Sequence, residues 1–224
     1  MKTLAVISQK GGVGKTTLAT CLAVAADRDG KRTAIFDLDP QATASFWHDV
    51  RPSPTPAVVS FHHVRLPAML KAAEESGTDL VIIDGAAVER DISHAAAELA
   101  DFVLLPTKAA VFDTMSMTQT MRIVREYEKP VSIVLNFVPP TGPETDDAGA
   151  VAQELQADLS PVLIGNRKAF FRAQAKGLSV QEFQPSSKAA KEIAMLYEYI
   201  SIVLYSQNSP DEDHEQRKLA TGSA

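Results

Sequence analysis

Between the apolar run Leu4–Ser8 (LAVIS) and the Ala/Leu-rich stretch Lys15–Asp29 lies the segment Gln9-Lys10-Gly11-Gly12-Val13-Gly14. A strand-like run, a glycine-rich turn and a helix-like stretch, in that order, restrict the fold more than any other feature of the chain. Gly11, Gly12 and Gly14 let the backbone bend tightly, so that its N–H groups can converge on one point. The helix that follows would aim its positive end at the same point. A turn of this kind implies a buried strand with a helix laid back across it, the repeating unit of an α/β fold.

The rest of the chain carries the same alternation. Thr33–Asp37 (TAIFD), Leu80–Asp84 (LVIID), Phe102–Pro106 (FVLLP) and Val131–Asn136 (VSIVLN) are near-continuous apolar runs, and Pro161–Gly165 (PVLIG) is a shorter one. Runs of this type suit strands covered on both faces, as in parallel sheets. Helix-like stretches separate them: Leu66–Ser76, Ile92–Leu99, Thr114–Glu128, Thr145–Asp158 and Ser187–Tyr205. The pattern predicts one doubly wound, mostly parallel sheet flanked by helices over residues 1–206. The proline-rich stretches Arg51–Pro56 and Pro139–Pro143 read as loops, and the polar Gln207–Ala224 as a tail.

The closing Gly14-Lys15-Thr16 fits the phosphate-loop formula G-x-x-x-x-G-K-[ST], but Gln9 stands where that formula opens with glycine, and a second lysine, Lys10, follows it. In such a loop Lys15 reaches the β- and γ-phosphates, the Thr16 hydroxyl ligates Mg²⁺, and Thr17 donates to the α-phosphate. Gly11, Gly12, Val13 and Gly14 supply backbone N–H groups. Asp84 ends a buried strand, where an acid either helps to hold Mg²⁺ or caps the next helix. Asp39, in Asp37–Gln41 (DLDPQ), can face the phosphates and orient a water, or form an ordinary Asx-turn before Pro40.

KGGVGKTT, FDLDPQ and LVIIDGA together resemble the deviant Walker A ATPases of the ParA/MinD group, most of all the small ParA partition ATPases. The resemblance implies a P-loop fold, ATP and Mg²⁺ as cofactors, and a homodimer closed around two ATP molecules. It implies that Lys10 crosses the dimer interface to the phosphates of the other subunit. Dimerisation would then depend on ATP, because only the nucleotide's charge offsets two facing cations. It gives Asp39 the water-positioning role alongside the catalytic Lys10 and Lys15, and puts Thr16, Asp39 and Asp84 around the metal. It sets Asn136 against adenine, with Pro185 and Ser186 in the segment lining the base. Many members carry Asp-Thr-Pro-Pro after the second strand acid, whereas this chain has Asp84-Gly85-Ala86-Ala87. The resemblance further implies slow hydrolysis stimulated by DNA and by a ParB-like centromere-binding or cargo adaptor protein.

Net charge is -6, yet Ser160–Glu192 holds six cations (Arg167, Lys168, Arg172, Lys176, Lys188, Lys191) against Glu182 and Glu192. Charge alone leaves two readings, a solvated helix face or a surface that neutralises DNA phosphates without reading bases. The resemblance favours nonspecific DNA binding by Arg167, Lys168, Arg172 and Lys176, hence a nucleoid-associated protein. A membrane-associated regulator like MinD is the alternative. That needs a basic amphipathic C-terminal helix, but Ile193–Tyr205 contains no Lys or Arg and Asp211–Glu215 is acidic. A single cysteine, Cys21, fits a reducing cytoplasm and excludes a multi-cysteine metal site within one chain. The opening MKTLAVIS meets Gln9-Lys10 too soon for a secretory leader.

Overall fold

A computed structural model describes residues 1–87, 89–108, 114–139 and 152–206. The elements run β1 (Lys2–Val6), α1 (Lys15–Arg28), β2 (Thr33–Asp37), α2 (Thr43–Asp49), β3 (Ala57–Ser60), α3 (Leu66–Glu75), β4 (Leu80–Asp84) and α4 (Arg90–Leu99). They continue with β5 (Phe102–Lys108), α5 (Thr114–Glu126), β6 (Val131–Asn136), β7 (Asp158–Leu159), α6 (Lys168–Gln174), α7 (Val180–Phe183) and α8 (Lys188–Ser206). The seven strands form one sheet in the order β3-β2-β4-β1-β5-β6-β7. Every strand pairing in it is parallel.

The sheet is covered on both faces, as its apolar runs require. Side chains alternate along each strand, so β1 feeds both layers. Leu4 and Val6 pack with Leu18 and Leu22 of α1, Trp47 of α2 and Ile193 and Leu196 of α8. Ala5 and Ile7 face the other layer, with Leu66 and Leu70 of α3, Ile92 of α4 and Ile123 of α5. A third cluster, including Leu105, Met121 and Ile133, fills the β5–β6 edge. Trp47 is 2% exposed, and its indole N–H donates to the Leu178 carbonyl at 3.2 Å. Cys21 is fully buried in α1, which pushes its thiol up to about 12.

Two expectations change. The run Pro161–Gly165 is not a strand: β7 is Asp158–Leu159, and Gly165 forms only an isolated bridge with Val138. The segment turns out of step first: the Ser160 N–H bonds the Ile133 carbonyl, but the next bond to β6 is from the Ile164 N–H to the Leu135 carbonyl, with Ser160 and Val162 closing a local turn between them. Half of the helix predicted over Thr145–Asp158 lies outside the described residues; of the rest, 152–154 are helical and Asp158 opens β7. The stretch 207–224 lies outside them too.

Candidate functional site

β1, β2 and β4 end on the same side of the sheet, and their ends carry the loop and both acids. Open α/β sheets bind ligands at this edge. The phosphate loop turns at Gly12 (φ 68°) and Gly14 (φ 91°), both left-handed. Gly14 has a second reason to be glycine: a Cβ there would lie 2.3 Å from Asn136 Nδ2. That nitrogen donates to the Val13 carbonyl at 2.8 Å, which ties the end of β6 to the loop. Val13 is fully buried and anchors the loop from below. Lys15 is 7% exposed, and its Nζ donates to the Lys10 carbonyl at 3.2 Å. Burial lowers its pKa, while Asp84 and Asp39 act against that shift. Thr16 and Thr17 are half-buried in the first turn of α1.

Gln9 also has an explanation. Its backbone N–H donates to Thr120 Oγ1 of α5 at 3.2 Å, and its Nε2 donates to Ser93 Oγ of α4 at 2.8 Å. One further cation, which the sequence reading missed, lies against the loop. Lys108 ends β5, with its Nζ over the Phe137 ring at 5.3 Å and 3.6 Å from where a Gly12 Cβ would sit. A charged residue closing a buried strand beside β1 was the available signal.

The acids differ in their surroundings. Asp84 is fully buried, and among the described residues no donor meets hydrogen-bond geometry to either carboxylate oxygen, although the Thr16 hydroxyl is near enough to act on it. Burial, with help from Asp37 and Asp39, pushes its pKa up to about 7, against the opposing pull of Thr16 and Lys15. An orphaned buried carboxylate close to Thr16 and Lys15 fits a hard cation, which takes oxygen ligands. Asp39 is half-buried, and its Oδ1 accepts from the Gln41 N–H at 2.9 Å. The Asx-turn is therefore present, and it holds the carboxylate near enough to act on both Lys15 and Asp84.

A cleft of about 620 Å³ opens beside the loop, bounded by Thr16, Thr17, Asn136, Phe137, Phe170 and Phe171 among others. Its size and mostly apolar walls suit a nucleoside. The structure does not bring Pro185 and Ser186 to it. Both are exposed in the turn after α7, and α7 lies toward the far part of α1, where Gln181 meets the Cys21 carbonyl and Arg28. The residues on that wall come from 164–174 instead. Asn136 borders the cleft, with Nδ2 on Val13 and Oδ1 accepting from the Phe137 N–H.

Residues 4–180 match the family described as the CobQ/CobB/MinD/ParA nucleotide binding domain. The chain belongs to the ParA/MinD family. A curated relative, maintenance of carboxysome distribution protein A of Gloeobacter kilaueensis, is 30% identical over 206 residues, covering 89% of this chain and 92% of the relative. The fold is also that of the Cyanothece McdA–ATP complex (TM-score 0.72, 19% identity, 91% of this chain and 96% of the other). MinD of Pyrococcus horikoshii with Mg-ADP gives a TM-score of 0.74 at 16% identity, over 93% of this chain and 99% of the other.

In this ParA/MinD chain the basic segment is partly neutralised. Arg167 lines the cleft and pairs through Nε and Nη2 with Glu192, so the structure does not leave it among the unpaired cations. Lys168, Arg172, Lys188 and Lys191 are exposed and make no ion pair with the described residues. Lys176 is exposed over the Phe183 ring at 5.2 Å. The segment's other acid, Glu182, is held by Arg51 of the loop after α2 at 2.7 Å. Among the described helices, none is long and apolar enough to cross a membrane.

Proposed function

We propose that the chain is a ParA-type ATPase that dimerises on ATP, binds DNA nonspecifically and positions an intracellular cargo through partner-stimulated hydrolysis. The observation that carries this reading is the constellation at the edge of β1, β2 and β4: Lys15 under the glycine turn, Lys10 ahead of it, and Asp84 buried beside Thr16 with no well-formed hydrogen bond among the described residues. Thr16, Asp39 and Asp84 are the residues that would hold Mg²⁺, which when bound screens the charge of the phosphates. Gly11, Gly12, Val13 and Gly14 cradle the phosphates with Lys15, and Thr17 meets the α-phosphate. The cleft between the loop and α6 takes the nucleoside, with Asn136 holding the loop that forms one wall.

Asp39 orients the attacking water, and Lys10 supplies a cation to the nucleotide of the other subunit. Lys168, Arg172 and Lys176 form the DNA face, with Lys188 and Lys191 beyond it. Dimerisation doubles the number of phosphate contacts, and salt-sensitive affinity rises steeply with that number. The cargo is a plasmid, a chromosome or, as the name of the Gloeobacter relative suggests, a protein-bounded body. A ParB-like protein or another adaptor supplies the stimulus.

The test is a gel shift with nonspecific DNA, ATP and Mg²⁺, run on the wild type and on the Lys168→Ala, Arg172→Ala double variant. The variant is expected to lose the shift while still dimerising on ATP. An unchanged shift would place the DNA face elsewhere. Pelleting of the protein with anionic vesicles in ATP would favour the membrane-associated reading instead.

A further inference from the structure

The phosphate loop opens on Gln9 rather than glycine, and the structure gives that side chain a defined task. Gln9 Nε2 donates to Ser93 Oγ at 2.8 Å, and Ser93 Oγ donates on to the Glu89 carbonyl at 3.3 Å. The Gln9 backbone N–H donates to Thr120 Oγ1 at 3.2 Å, and Thr120 Oγ1 donates to the Ser116 carbonyl at 2.9 Å. Ser93 and Thr120 are both fully buried. Each hydroxyl accepts from Gln9 and donates to a helix carbonyl, so both relays are consistent in donor and acceptor sense.

Ser93 lies in α4, the helix that follows Asp84, and Glu89 is its N-terminal flank. Two segments that must stay in register are thereby joined: the loop opening, which carries Lys10, and the chain leaving Asp84. They also lie close together, since a Cβ added to Gly11 would come within 3.8 Å of Ala87 Cβ. A glycine at position 9 could keep the contact to Thr120 but none of the side-chain bond to Ser93.

We infer that Gln9 is a positioning residue: a strut that fixes the Lys10 turn against α4, so that the placement of Lys10 depends on Ser93. The inference rests on the proposed role of Lys10 between subunits. It predicts a separation of effects. Thr16 and Thr17 are held by α1, and Lys15 meets the Lys10 turn only through its bond to the Lys10 backbone carbonyl, so nucleotide affinity should change little when the strut is cut. Turnover and ATP-driven dimerisation should both fall.

The experiment uses the full chain with Gln9→Gly, Ser93→Ala, the double variant, and Lys10→Ala alongside. Readouts are affinity for a fluorescent ATP analogue, kcat, dimer fraction by light scattering, and melting temperature. Gln9→Gly is expected to lower kcat and the dimerisation constant about five- to tenfold, the scale of one lost buried hydrogen bond, with nucleotide affinity within about twofold. Ser93→Ala should match it, and the double variant should be no worse than either single change. Ser93→Thr, which keeps the hydroxyl, should retain activity.

Unchanged kcat and dimerisation in Gln9→Gly overturn the inference, as do additive losses in the double variant or a matching fall in nucleotide affinity. If Lys10→Ala dimerises normally, the proposed role of Lys10 fails by itself. The coupling between Gln9 and Ser93 in kcat then still reports on the strut.

Discussion

Asp37 and Asp84 stand side by side at the ends of β2 and β4, in register and both fully buried, but only one of them is satisfied. Asp37 accepts from the Asp39 N–H at 3.3 Å, the Ser45 N–H at 2.9 Å and the Ser45 hydroxyl at 3.0 Å. Asp84 has no such set: among the described residues only the Thr16 hydroxyl acts on it, short of full hydrogen-bond geometry. Asp37 therefore builds the turn that carries Asp39 and starts α2, while Asp84 is left available for a cation. The two neighbouring carboxylates should respond oppositely to removal.

Asp84→Asn is expected to raise the stability of the nucleotide-free protein at neutral pH. Burial pushes the Asp84 pKa from 3.8 to about 7, so the folded chain keeps a proton that the unfolded chain releases. Stability then falls as pH rises from about 4 to about 7, and is level above that. The asparagine removes this slope, a gain of roughly 2–4 kcal/mol at pH 8. Thermal melts across pH, with and without Mg²⁺ and nucleotide, check it. The variant should also lose the extra stabilisation that Mg²⁺ gives in the presence of nucleotide.

Burial pushes the Asp37 carboxyl up as well, but bonds from Ser45 and Asp39 oppose that shift and would be lost, so Asp37→Ala should act in the other direction. It uncaps α2 and frees the Asp39 turn, at a cost of about 1–2 kcal/mol. Denaturant titration measures the loss, and a fall in kcat with little change in nucleotide affinity would show that Asp39 has lost its placement. A variant as stable and as active as the wild type would remove Asp37 from this role.

Arg51 makes the third case. Its side chain is 2% exposed, stacks at 4.7 Å over Trp47, and donates to Glu182 and to the Gly177 carbonyl. Burial pushes the Glu182 carboxyl up, but hydrogen bonds from Arg51 and Ser179 outweigh it and leave the group below its usual 4.5. A carboxylate held low stabilises the fold at neutral pH, and that contribution is lost as pH falls below about 4.5. Arg51→Ala should cost about 3 kcal/mol at pH 7, because Glu182 is left without its counter-ion. The gap between wild type and variant should narrow in acid, and a gap independent of pH would show that packing on Trp47 dominates.

Much of this site is legible in the sequence because it is local. Gly14, Lys15 and Thr16 are contiguous, and β2, β4 and β6 begin and end where their apolar runs do. What the sequence hides is held by distant partners. α2 carries a β-branched and two aromatic residues in seven, and its first turn is fixed by Asp37 from outside the helix. β3 follows a proline-rich loop and is mostly exposed at the sheet edge, so its four residues give no buried run. Pro161–Gly165 misleads because Val162 and Ile164 are buried at 6% and 1% without belonging to a strand. The pairing of Arg167 with Glu192, 25 residues away, likewise leaves no trace in a count of charges.

The claim on which the rest depends is that Lys10 acts between subunits. Sedimentation velocity of wild type and Lys10→Ala, each with a slowly hydrolysed ATP analogue and Mg²⁺, tests it most directly. The account predicts a nucleotide-dependent dimer for the wild type and a monomer for the variant, with analogue binding retained in both. A Lys10→Ala protein that dimerises with the wild-type constant would contradict it.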